Sequence, residues 1–166
     1  MVNPKTILAE WVTALQSLPH LVDALGGNAD NIQYYSENRI VFGQRTQNNV
    51  RLGILSMPPG SIMVAWEGTD PTPFDRTWHF GHHFKLYLRA PEIDDVGYED
   101  ISDWIVNDVP NGSGTLRMLH ASIDPACGPM SDKGPAFHRE TVVIGADGTT
   151  FEYFVAPIFL REDFNP

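Results

Sequence analysis

An α+β fold, with two or more helices packed on one face of a mixed, mainly antiparallel β-sheet, is predicted by three features of the sequence. The chain opens on a stripe of apolar residues at helical spacing. Residues 78–89 alternate with a period of two. A pair of β-rich runs flanks Asp147-Gly148 near the end. A chain of 166 residues is sized for one domain. Its 14 glycines and 13 prolines point to many turns and long loops, not to a helical bundle.

The first helix is capped by Asn3, with Pro4 at the first helical position, where its missing N–H costs nothing. Ile7, Leu8, Trp11, Val12, Leu15 and Leu18 form its buried stripe. Leu18-Pro19 breaks the helix. A short turn through Leu21, Val22 and Leu25 follows and ends at Gly26-Gly27. Residues 28–49 are polar, with Asn28, Asn31, Asn38, Asn48 and Asn49, and predict a long loop or irregular hairpin around a short strand at Ile40-Val41-Phe42.

Strands then dominate. Ser61–Glu67 follows the turn Pro58-Pro59-Gly60 and is expected to stop at Gly68. Trp78–Arg89 places Trp78, Phe80, His82, Phe84, Leu86 and Leu88 on one face, and His79, Gly81, His83, Lys85, Tyr87 and Arg89 on the other. Such alternation predicts an antiparallel sheet covered on one side, with a wet second face. A helix fits Tyr98–Val109, with Ile101, Trp104 and Ile105 on one side, and Pro110 with Asn111-Gly112 ending it. Leu116–Ile123 reads as a strand, and residues 124–137 as a Pro/Gly-rich loop. The closing hairpin pairs Thr141–Ile144 with Phe151–Leu160 across Asp147-Gly148. Pro157 marks an edge or a bulge, and Phe159–Phe164 is expected to pack back onto the sheet or dock on a neighbour.

Eleven basic against 21 acidic residues give a net charge of −10. That excludes a nucleic-acid-coating protein, which needs a dense Lys/Arg footprint. No apolar run approaches the roughly 18 residues of a membrane span, and Glu10 and Trp11 interrupt any export signal, so a cytoplasmic site of synthesis is expected. The single cysteine, Cys127, excludes an intramolecular disulfide.

No catalytic, cofactor or metal residues are assigned. His79 and His83 share a strand face but stand about 13 Å apart at roughly 3.3 Å per residue, too far to share one zinc. His82 points to the apolar face. Cys127 lacks the setting of an activated nucleophile. Nucleophile-elbow, P-loop and dinucleotide-binding motifs are absent from the sequence. The charge is concentrated: Glu92, Asp94, Asp95, Glu99, Asp100, Asp103 and Asp108 fall in a window without Lys or Arg. The plain reading is a solvated helix start. The functional reading is an electronegative surface that meets a basic partner or repels nucleic acid.

Several segments in succession resemble the tail terminator (tail completion) proteins of long-tailed bacteriophages. They are the helix Ile7–Leu15, the segment Met57–Gly68, the strand Trp78–Arg89 and the helix Tyr98–Val109. The loop with Ile123-Asp124-Pro125 and Pro129-Met130, the strand starting Arg139-Glu140-Thr141 and the closing strand Phe151–Leu160 complete the series. The resemblance implies a non-enzymatic virion protein, assembled in the host cytoplasm and placed at the head-proximal end of the tail. It implies a homo-oligomeric ring, usually a hexamer, that caps the tail tube, stops its elongation and joins the head-completion or neck protein. DNA would pass through the lumen as cargo. Six copies at −10 each would carry −60, and residues 92–108 are the candidate acidic lumen or partner surface. His79, His83, Lys85, Tyr87 and Arg89 are the candidate subunit-interface face.

Competing readings are a head-closure, neck or minor tail protein of the same particle, and a small metal-dependent hydrolase built on His79, His83, His120 and Cys127. A third is a ligand-binding module with Trp66, Trp78 and Tyr87 around a pocket.

Overall fold

The structure is a computed structural model that describes residues 3–37, 39–45, 50–74, 77–91, 127–129, 138–144 and 146–164. The expected helix Tyr98–Val109, the expected strand Leu116–Ile123 and the acidic window 92–108 lie outside them.

Helix α1 spans Pro4–Gln16. The Asn3 side chain accepts a hydrogen bond from the Lys5 amide at 3.0 Å, and Pro4 opens the helix, as the sequence predicts. Ile7, Leu8, Trp11, Val12 and Leu15 are buried. Helix α2, Pro19–Ala24, follows after Leu18 and ends at Gly26-Gly27, both at positive φ. A 3₁₀ turn at Ala29–Asn31 then leads into β1, Ile32–Tyr34.

The polar segment is therefore more ordered than a loop. Besides β1 it contains a small hairpin of β2, Ile40–Val41, and β3, Gln44–Arg45. Phe42, expected within a strand, instead turns the hairpin at φ 49°, beside Gly43 at φ 78°. Helix α3, Val50–Leu55, comes next. At three and six residues, β1 and α3 are too short to show a period in sequence.

The main strands are β4 (Ser61–Phe74), β5 (Thr77–Arg89), β6 (Cys127–Pro129), β7 (His138–Val143) and β8 (Thr150–Phe164). Their order is β1-β4-β5-β8, with β6 and β7 both pairing the far side of β8. Among the described residues only β1–β4 is parallel, so the sheet is mixed and mainly antiparallel.

Three strand boundaries correct the sequence reading. β4 does not stop at Gly68: it runs on to Phe74. The register with β5 shifts between Trp66 and Gly68, and Gly68 takes φ 151°, so this glycine marks a bulge that redirects the strand without ending it. β8 continues past Leu160 to Phe164, opposite Trp78, so the tail closes onto the sheet. Within the expected loop 124–137, Cys127–Pro129 is a strand against Leu160–Glu162.

Two apolar clusters flank the sheet. The first joins α1, α2 and Leu25 to Ile32, Ile62, Val64, Phe84, Leu86, Leu88 and Ala156. Trp11 and Phe84 meet at its centre, their rings 5.0 Å apart. The second cluster lies on the opposite parity of the strands: Met63, Ala65, Tyr87, Phe151, Tyr153 and Val155 pack with Tyr35, Val41, Ile54 and Met57. The expectation of a sheet covered on one side is therefore corrected. α3 and the segment before it supply apolar residues to the second face. Gly60 sits where the turn into β4 crosses the end of α2: its φ is 70°, and a Cβ there would lie 2.8 Å from the Leu25 carbonyl oxygen.

Candidate interaction face

The strand face predicted from sequence as an interface divides into a buried and a partly wet half. Arg89 is fixed within the fold: its guanidinium donates to the Met57 carbonyl at 2.6 Å and lies 4.5 Å over the Phe151 ring. Tyr87 is also internal, only 5% exposed. Lys85 is half-exposed and pairs with Glu67 at 2.9 Å. His83 is half-buried and engaged in an interaction of its own. His79 faces Thr72 and Asp163 in register, and its side chain lies outside the description. Thus Arg89 and Tyr87 tie the fold together internally, and Lys85 and His83 border the wet half. The acidic window Glu92, Asp94, Asp95, Glu99, Asp100, Asp103 and Asp108 lies outside the described residues.

Strand pairing brings to this face residues that the sequence reading missed. Lys85 lies opposite Ala65, and Glu67 follows at the bulge, where its carboxylate also accepts from the Tyr87 hydroxyl at 3.4 Å. Across β8, Glu140 pairs with Tyr153 in register. The Tyr153 hydroxyl donates to Glu140 Oε2 at 2.5 Å, and His138 Nε2 lies 3.0 Å from Glu140 Oε1. The rings of Tyr87 and Tyr153 are 5.9 Å apart, tilted by 53°. The result is a polar–aromatic band of Lys85, Glu67, Tyr87, Tyr153, Glu140 and His138 beside the second apolar cluster. Glu67 and Glu140 carried no sequence signal, because the residues that join them are 20 and 13 positions away in the chain.

Burial and the nearby carboxylates set the ionisation of this band. Burial pushes the Tyr153 hydroxyl up to about 12, and its bond to Glu140 adds to the shift. Burial, then the Glu67 charge, pushes Tyr87 well above the usual phenol range. The Tyr153 hydrogen bond holds Glu140 below the usual carboxylate value, with His138 helping. Both phenols are therefore donors at neutral pH, and both carboxylates are acceptors with filled partners.

The other sequence candidates separate. Trp66 pairs with Phe84, whose side chain lies in the first cluster, whereas Tyr87 lies in the second. Trp66 and Tyr87 thus point to opposite faces and do not line one pocket, and the side chain of Trp78, the third aromatic expected there, lies outside the description. His82 is fully buried, and its Nδ1 lies 2.8 Å from the Thr69 hydroxyl. Cys127 is placed by its backbone opposite Glu162, while His120 lies outside the described residues. Among the described residues, no three His, Cys, Asp or Glu side chains converge as a metal site. Also among them, no helix is long and apolar enough to cross a membrane.

No protein-family model matches the chain, and no curated protein sequence matches it significantly.

Proposed function

We propose that this chain is a structural subunit that works by shape: a tail-terminator-like protein that forms a ring with copies of itself, caps a tail tube and joins it to the neck. The observation that supports this most is the form of the sheet. α1 and α2 cover it around Ile62–Val64 and Phe84–Leu88. Beyond them, β4 from Glu67 to Phe74 and β5 from Thr77 to His83 continue as a long hairpin, paired on one side with β8 up to Phe164. Among the described residues, seven further residues of strand at about 3.3 Å each carry the sheet more than 20 Å past the cover of α1 and α2. A projecting sheet of this length offers area for a neighbouring subunit or a tube end, and the polar–aromatic band lies beside its root. Subunits that meet this way would make head-to-tail contacts, which close into a ring when the rotation permits.

Electron microscopy of the full chain alone and mixed with purified tail tubes tests the proposal. The expected result is a ring at one end of each tube, with no further elongation when free tube subunits are added. Tubes that keep growing with bare ends at saturating protein would overturn it. A ring found on the head portal and never on tubes would move the chain to the neck. A monomer in dilute solution decides nothing by itself, since weak interfaces close on a template.

A further inference from the structure

We infer that the outer edge of β4 is built to refuse an added strand, so that copies of this chain cannot extend one another's sheets through it. The inference follows from which way the backbone groups of β4 face. The Val64 carbonyl accepts from the Tyr35 amide at 2.8 Å, so residue 64 presents its backbone to the β1 side. Neighbouring residues of a strand present theirs to opposite sides. Before the bulge, then, Ile62, Val64 and Trp66 face outward and Met63 and Ala65 face β5.

The register shift between Trp66 and Gly68 inserts one residue and inverts this parity. β5 shows the same result independently. Lys85, opposite Ala65, faces β4, and so do His83, Gly81, His79 and Thr77. Their partners Gly68, Asp70, Thr72 and Phe74 therefore face β5. Thr69, Pro71 and Pro73 face outward. Two of these three outward positions have no N–H at all, so the edge offers carbonyls but almost no donors.

The ladder itself agrees with this assignment. Pairing with β5 is continuous from Gly68 to Phe74, which requires that neither proline be asked to donate inward. The rule extends to the third strand proline. On β8, Phe154, Ala156 and Ile158 face β5, so Pro157 faces away from it. Pairing with β7 ends at Val155 and pairing with β6 begins at Leu160, so among the described residues no strand asks Pro157 for a donor.

The edge is thus closed along its length: β1 occupies Ile62–Val64, the bulge kinks the next residues, and Pro71 and Pro73 remove the donors beyond. Head-to-tail addition of strands is a route to open fibres as well as to rings. Among the described residues no strand lies against this side of β4 beyond Val64, an edge that would invite such addition if it carried donors, and the two prolines oppose it. The inference does not depend on the tail-terminator reading, and it holds for any function of the chain.

Two measurements on the full chain test it. Hydrogen exchange of the wild type should show slow amides at Asp70, Thr72 and Phe74 and a fast one at Thr69. Thr72 and Phe74 exchanging as fast as Thr69, or Thr69 as slow as they are, would overturn the assignment of the edge. The double substitution Pro71→Thr, Pro73→Thr restores both donors. Sedimentation velocity should then show self-association at a concentration roughly tenfold or more below that of the wild type, with growth of an intermolecular-sheet amide band. A folded double variant that sediments as the wild type at every concentration would overturn the inference. The exchange pattern decides the question if the variant does not fold.

Discussion

Tyr153→Phe isolates one hydrogen bond of the polar–aromatic band and makes its contribution readable against pH. The phenol donates to Glu140 at 2.5 Å from a residue that is 6% exposed. A hydrogen bond to a charged group contributes about 1.5–3 kcal/mol when both partners are shielded. Glu140, however, is 45% exposed, so its hydration competes, and the expected loss at pH 7 is about 1 kcal/mol. The sign of the pH dependence follows from the carboxyl. Its folded pKa lies below the ordinary 4.5, mainly because of this bond, so the ionised form is favoured by folding. The stabilisation is present above the ordinary value and is lost as pH falls through the lower folded one. Urea unfolding followed by circular dichroism should therefore show wild type and variant separated by about 1 kcal/mol at pH 7, with the gap narrowing once Glu140 is protonated. An equal gap at pH 7 and pH 3, or none at pH 7, would refute the reasoning.

Two further predictions rest on the same two faces of the sheet. In an alkaline absorbance titration, Tyr153, pushed up to about 12, and Tyr87, pushed higher still, should stay protonated through pH 10. Both raised values favour the folded state while the phenols are neutral. That stabilisation is complete below pH 10 and disappears as pH rises through the folded values, so the slow phenols should ionise together with unfolding. Glu67→Gln should lower the Tyr87 value only in part, because burial is the larger cause. On the helical face, Phe84→Ala should cost about 3–5 kcal/mol in urea unfolding, for a large side chain 1% exposed against Trp11. A double-mutant cycle with Trp11→Ala should return a coupling of roughly 0.5–1.5 kcal/mol, and a coupling of zero would show that the two rings are neighbours without interacting.

Much of the fold is local enough to be legible in sequence. The cap at Asn3, the stripe from Ile7 to Leu15, the break at Pro19 and the hairpin at Asp147-Gly148 each depend on residues within a few positions of one another. What escaped depends on distant partners. β1 exists because Val64 is there to accept the Tyr35 amide, and Cys127–Pro129 is a strand because β8 passes beside it. Gly68 reads locally as the end of a strand, yet β4 runs on through it and through Pro71 and Pro73. All three are compatible with a strand only because the glycine falls at a register shift and both prolines fall on an edge. The band of tyrosines and carboxylates was hidden for the same reason. Lys85 and Tyr87 stood in the predicted face, but Glu67 and Glu140 reach them only through pairing across β4 and β7.

The sequence by itself determined the α+β class, the opening helix with its buried stripe, the alternating strand Trp78–Arg89 and the closing hairpin. These follow from periodicity and turn chemistry, which act over a few residues. Only the tertiary structure decided that apolar residues cover both faces of the sheet around Ile62–Ala65, that Tyr87 and Arg89 are internal ties, and that the prolines of β4 face away from β5. Each of these depends on which strand lies beside which and on the parity of the backbone across a bulge, and a one-residue shift in pairing would reverse it.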